Sequence, residues 1–137
     1  MRYDLIVGML QTAGVGTVGT NLFVHRMDAD CKLGIMIRGP IDGVPVDVDL
    51  PNYYKHSMQL IVRAADQLTG DALMASAIAA LTTQQPLIFN DNNGNLLMQL
   101  NHLVPRTLAR VYPRLDGQGI EISVDFNTNY VMPPNNV

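Results

Sequence analysis

The chain has 137 residues, 47% of them hydrophobic and 15% charged, with a formal net charge of −3 and a pI near 5.4. That length suits one domain with its own apolar core, and the composition excludes a disordered chain. With no Lys/Arg block, tight electrostatic grip on a phosphate backbone is excluded as well.

The first element is helical. Leu5, Ile6, Met9, Leu10 and Ala13 recur at helical spacing, and Gly14 stops the pattern. The same apolar run is too short for a membrane span and lacks the basic flank of a signal peptide, so no membrane partner is expected. Gly14-Val-Gly16-Thr-Val-Gly19 formally matches a dinucleotide fingerprint. That motif needs a strand before it and a helix after it; here the order is reversed, and a flexible loop is the simpler reading.

Asn21–Met27 and Leu33–Arg38 read as two strands joined by the polar Asp28-Ala29-Asp30 turn, hence a hairpin. Cys31 is the single cysteine, so there is no internal disulfide. From Val44 to Leu50 valines alternate with Pro45, Asp47 and Asp49. This predicts an extended segment with one apolar face, placed by its proline at an edge or in an arm. The carboxylates of Asp47 and Asp49 read as solvated edge charges that discourage strand pairing.

Pro51-Asn-Tyr53-Tyr54-Lys55 carries an aromatic pair that reads equally as core cover with hydroxyls reaching water and as a protein contact. Beyond it the alternation is clean: Met58, Leu60, Val62 and Ala64 face one way, and Gln59, Ile61 and Arg63 the other. An Ala-rich helix follows, with Thr69 as the expected N-cap and Met74, Ile78 and Leu81 as its stripe. Pro86 opens a strand over Leu87–Asn90, and Asn93-Gly94 signals a hairpin returning through Leu96, Met98 and Leu100. Gly117–Gly119 marks a turn. Ile120, Ile122, Val124 and Phe126 then alternate with Glu121, Ser123 and Asp125 as a half-buried strand. The end, Met132 to Val137, reads as a flexible tail after a single domain over residues 1–131.

The sum is α+β: an antiparallel-rich mixed sheet with two helices packed on one face and an extended β-arm or hairpin. No chemistry stands out. His25, His56 and His102 are scattered, and their only potential company is Asp28, Asp30 and Cys31, so no metal or other cofactor is expected. Ser57, Ser76, Ser123 and Cys31 lack a nucleophile-elbow context, so no catalytic residue is assigned. A small nucleotide-binding domain using Gly14–Gly19 is the alternative from another class.

The run from Pro51 through Tyr53, Tyr54, Gln59, Val62, Arg63 and Ala64, with the helix to Leu81, resembles the bacteriophage minor capsid and tail-terminator proteins. That family has a similar Pro-x-Tyr-Tyr segment, a strand framed by Gln and Arg, and an Ala-rich helix. Asn52 departs from the expected Gly, and the Gly14–Gly19 loop and the Leu87–Leu100 hairpin have no counterpart in the pattern. The resemblance implies a non-enzymatic virion protein of the tail or neck, made in the host cytoplasm. It implies a homo-oligomeric ring, commonly a hexamer, that caps the head-proximal end of the tail tube. Its partners would be the tail-tube protein and the neck or connector protein, with DNA passing through the lumen without specific binding. Another neck-ring or tail-tube role on the same fold is the near variant. The expected subunit-contact residues are Val46, Val48, Tyr53 and Tyr54, with Gln59 and Arg63 supporting the sheet or the lumen wall.

Overall fold

The structure is a computed structural model that describes residues 1–114 and 119–134. It opens with α1 (Tyr3–Thr12), whose Ile6, Val7 and Leu10 are buried on the core side, as the helical spacing predicts. Gly14 ends it at φ +77°, a left-handed turn that glycine adopts without penalty.

β1 (Leu22–Val24) and β2 (Gly34–Arg38) follow, but they do not form the expected hairpin. They run parallel, with Leu22 opposite Ile35 and Val24 opposite Ile37. Parallel pairing requires the chain to return along the strand. Only nine residues separate Val24 from Gly34, which suffices because β1 is three residues long. Arg63 holds the returning segment: its Nη1 donates to the carbonyls of Asp28 and Cys31, at 2.8 and 3.2 Å. The Asp28–Asp30 turn is therefore part of a crossover rather than a hairpin tip.

β3 (Tyr53–Ala64) pairs antiparallel with β2 on one side and along its full length with β7 (Ile120–Val131) on the other. Strand β3 begins earlier than the clean alternation suggests, because Tyr53 to His56 already pair with residues 128–131 of β7. The 39–52 segment between β2 and β3 is an irregular loop and joins no strand among the described residues. Two local features keep it out of the sheet. Pro45 has no N–H to donate, and the Asp47 carboxylate takes the N–H of Asp49 at 2.9 Å while Leu50 N–H returns to the Asp47 carbonyl.

α2 (Gln67–Leu81) is capped by Asp66, not Thr69. The Asp66 Oδ1 accepts the Thr69 N–H at 2.8 Å, so Thr69 is the third residue of the helix whose orphan donor the cap satisfies. Met74, Ala77 and Leu81 are buried, and Ile78 is partly so. Gly70 permits the closest approach: a Cβ there would meet Ile122 Cδ1 at 2.7 Å and Ala64 Cβ at 3.3 Å.

β4 (Leu87–Asn90) and β5 (Leu96–Pro105) form the expected hairpin. Its loop is longer than an Asn-Gly two-residue turn. Asp91 N–H bonds to Asn95 carbonyl, Gly94 N–H to Asp91 carbonyl, and Gly94 sits at φ +82°, a type I turn with a left-handed third loop residue. β5 then pairs with β7 from Gln99 to Pro105, and β6 (Arg110–Pro113) pairs with the other part of the same β7 edge, Ile120–Ser123. The sheet order is β1-β2-β3-β7-β5-β4, with β6 beside β7. Of the Gly117–Gly119 turn, residues 117 and 118 lie outside the described residues, and Gly119 has φ +111°. Of the 132–137 segment, Met132 is buried and its N–H bonds to the Asn52 carbonyl at 2.9 Å. Residues 135–137 lie outside the described residues.

The core follows the period of two along β3 and β7. Met58, Leu60, Val62 and Ala64 face the helices with Ile122, Val124, Phe126 and Tyr130, all nearly or fully buried. The architecture is the predicted α+β arrangement, a mixed, mostly antiparallel sheet with two helices.

Candidate functional site

The residues of opposite parity make the other face of the sheet, and they form a continuous polar lattice. Arg38 Nε donates to Gln59 Oε1 at 2.5 Å, Gln59 Nε2 to Ser123 Oγ at 3.0 Å, and Arg110 Nη2 to the same Ser123 Oγ at 3.0 Å. Arg110 continues to Asp125 Oδ1 at 2.9 Å, and Arg106 approaches Asp125 Oδ2 at 3.4 Å. One turn of the pleat away, Arg63 meets Glu121 at 2.9 Å with its own side chain only 12% exposed. The β5–β6 link stays tied to this lattice, because Arg106 N–H bonds to the Asp125 carbonyl and Thr107 Oγ1 accepts the Asp125 N–H.

Charge is unevenly placed as a result. Four arginines (38, 63, 106 and 110) stand against two carboxylates, Glu121 and Asp125, a surplus of two positive charges on one face of a chain whose net charge is −3. Two adjoining depressions of about 220 and 330 Å³ share Arg38 and Gln59 as wall and floor. Met36, Ile61 and Tyr112 add apolar surface, with Glu121 and Asp125 among the lining residues. Arg38 hydrogen-bonds the described residues only through its Nε, which leaves its two terminal nitrogens as available donors.

The second feature is the 39–52 loop. Ile41, Val46 and Val48 are 93%, 75% and 87% exposed. Singly exposed apolar residues are ordinary; several in one short loop are not. The loop carries Asp42, Asp47 and Asp49 and no cation.

The expected contact residues divide between these features. Val46 and Val48 are on the loop. Tyr53 lies beside them at the start of β3, lining the same depression as Val46, Val48 and Lys55. Gln59 and Arg63 belong to the polar lattice. Tyr54 faces the opposite way and packs on Tyr130 with ring centroids 5.5 Å apart. The sequence reading missed Arg38, Arg106 and Arg110. Parity pointed to Arg38, since it stands opposite Gln59 in the β2–β3 ladder.

The three histidines have separate engagements. His25 lies edge-on to Tyr3, and His102 Nδ1 accepts from Asn129. His56 donates from Nδ1 to its neighbour's Ser57 carbonyl at 2.7 Å and accepts the Tyr130 hydroxyl at Nε2, 2.9 Å away. Burial lowers the His56 pKa and raises that of Tyr130. Among the described residues no group of three or more His, Cys, Asp or Glu is placed to hold a metal ion, and no helix is long and apolar enough to cross a membrane.

The glycine loop is hydrogen-bonded to itself rather than open. Thr17 N–H is taken by Asn21 Oδ1 and Val18 N–H by Gln11 Oε1, while Val15, Gly19 and Thr20 donate to backbone carbonyls. A phosphate cradle needs such donors free. Two of the three serines are similarly engaged, Ser76 with the Ala72 carbonyl and Ser123 with Gln59 and Arg110.

Comparison with known proteins agrees with this architecture. A chain in a solved structure titled virion of native gene transfer agent (GTA) particle superposes with a TM-score of 0.57 at 17% identity, over 92% of this chain and 91% of that one. At that identity the likeness shows the fold. No curated protein matches the sequence. A family described as bacteriophage tail terminator protein matches residues 9–132. That match spans nearly the whole chain, from the last turn of α1 through α2 and every strand, and the chain therefore belongs to the bacteriophage tail terminator family.

Proposed function

We propose that this chain is a structural subunit of a phage virion that assembles into a closed ring, caps the head-proximal end of the tail tube and joins it to the neck. DNA passes through the lumen, and the protein performs no catalysis. The observation that carries this reading is the family match over residues 9–132. The surface supports it: a chain with Ile41, Val46 and Val48 exposed on one loop gains by covering them.

A closed ring repeats one heterologous interface, in which two different patches of the same chain meet. Val46, Val48 and Tyr53 supply one patch, and Gln59 and Arg63 stiffen the sheet that supplies the other. Tyr54 acts from inside by fixing the start of β3 against Tyr130. The mechanism is geometric: one side of the ring matches the last tube ring, and the other offers the neck a different surface. The test is to polymerise the cognate tail-tube protein in the presence of this chain and image the products. One added ring at a tube end, with tube growth arrested, is expected. Incorporation along the tube would make the chain a tube subunit, and no association with tubes would defeat the proposal.

A further inference from the structure

We propose that the acidic 39–52 loop of one copy docks on the arginine-rich open face of the next, with its aspartates meeting Arg38 and Arg106. This rests on the ring reading and names the two patches that meet. Three observations carry it.

The charges are complementary. The loop holds Asp42, Asp47 and Asp49 with no cation, and the face holds the positive surplus described above. Neither the Asp42 nor the Asp49 carboxylate bonds within the described residues, while the Arg38 terminal nitrogens are equally unspent. Complementary fields of this kind set register and exclude wrong pairings.

The apolar surfaces are complementary too. Ile41, Val46 and Val48 protrude. The face offers chiefly Tyr112, half exposed, with the nearly buried Met36 and Ile61 in the same depression walled by Arg38. Another concave surface, along α1, is lined by Leu5, Gly8, Met9, Ala13 and Phe89 with Asp4 at its edge. Asp4 already holds Arg2 at 2.8 Å, so that groove offers an acidic loop no free cation.

The placement also fits a head-to-tail contact. The root of the loop, Gly39 to Ile41, borders the depression beside Arg38 and Arg110, while Pro45 to Val48 lie beside Tyr53 and Lys55 of the same chain. The loop thus borders the Tyr53–Gln59 end of its own open face, lines none of the Met36–Tyr112 depression, and leaves its valines exposed. Each copy presents a knob and an unfilled face, the requirement for a repeating heterologous interface.

Charge reversal tests this. A loop-reversed protein carries Asp42→Lys and Asp49→Lys; a face-reversed protein carries Arg38→Glu and Arg106→Glu. Arg106 is half exposed, and Asp125 keeps Arg110 when it is changed. Each is followed by light scattering under conditions where the unaltered protein assembles, with a melting curve to establish folding. Each alone is expected to need at least ~10-fold more protein to assemble, the loss of about one close charge pair. Mixed in equal amounts they are expected to assemble again, because every contact then joins opposite charges. Should the face-reversed protein fail to fold, Arg38→Gln with Arg106→Gln replaces it, and unchanged assembly of that variant overturns the docking. Docking is also overturned if both reversed proteins assemble normally, or if both fold and the mixture stays dispersed. If the unaltered protein never assembles, it is the ring reading that fails.

Discussion

The two faces of the β3–β7 pair differ in what a substitution should do. Leu60 and Val124 stand opposite one another on the helix side, both essentially inaccessible; Gln59 and Asp125 stand opposite on the other side, one residue along each strand. The helix side is dry, close-packed and locked by α2. The open side is a lattice of arginine, amide, hydroxyl and carboxylate groups whose outer atoms reach solvent. A single pair of strands therefore carries the fold on one parity and the proposed docking face on the other. Stability and assembly should separate by parity.

The strongest challenge to that separation is on the dry side. Leu60→Ala removes a fully buried side chain at the centre of the sheet and is expected to cost about 2–5 kcal/mol in denaturant unfolding. Next comes the helix–sheet seam. Gly70→Val forces branched atoms into space held by Ile122 and Ala64 and is expected to cost about 1–3 kcal/mol, with the loss measured as a lower melting temperature.

A smaller effect comes from pH. Burial holds the His56 imidazole below its ordinary value of 6.5, so the unfolded chain takes up the proton first as pH falls. His56 thus costs nothing above about pH 6.5, and stability falls as the pH drops through its lower folded value. Melting temperature should decline from pH 7 towards pH 5, and His56→Gln should flatten that decline. The smallest expected effect on folding is on the loop. Val46→Asp with Val48→Asp should leave unfolding within about 0.5 kcal/mol while weakening assembly. A large stability loss there would show that the loop belongs to the fold.

Much of this was legible because period-two and period-3.6 patterns are local. Met58 to Ala64 and Ile120 to Phe126 announced their strands and their buried sides, and α1 its buried stripe. The misreadings share a cause. Tyr53-Tyr54 left core cover and protein contact equally open, and parity carried back from Met58 separates the two, Tyr54 inward and Tyr53 outward. Asp66 and Thr69 are both good cap residues three apart, and only the backbone conformation separates cap from capped. The parallel β1–β2 pairing is held partly by Arg63, 35 residues beyond the Asp28 carbonyl that it grips. The open-face lattice was hidden for the same reason, since Arg38, Gln59, Arg110 and Asp125 meet only after β3 and β7 pair. The loop was the reverse case: Pro45 placed it at an edge or in an arm, and it joins no strand among the described residues.

The central claim is that this chain is built to close on copies of itself. Light scattering across a wide range of concentration and salt tests it most directly. A closed ring gives one discrete species at a fixed multiple of the 15.0 kDa chain, unchanged as concentration rises and weakened by salt. A 15.0 kDa particle at every concentration, or open-ended growth without a limiting size, would contradict it.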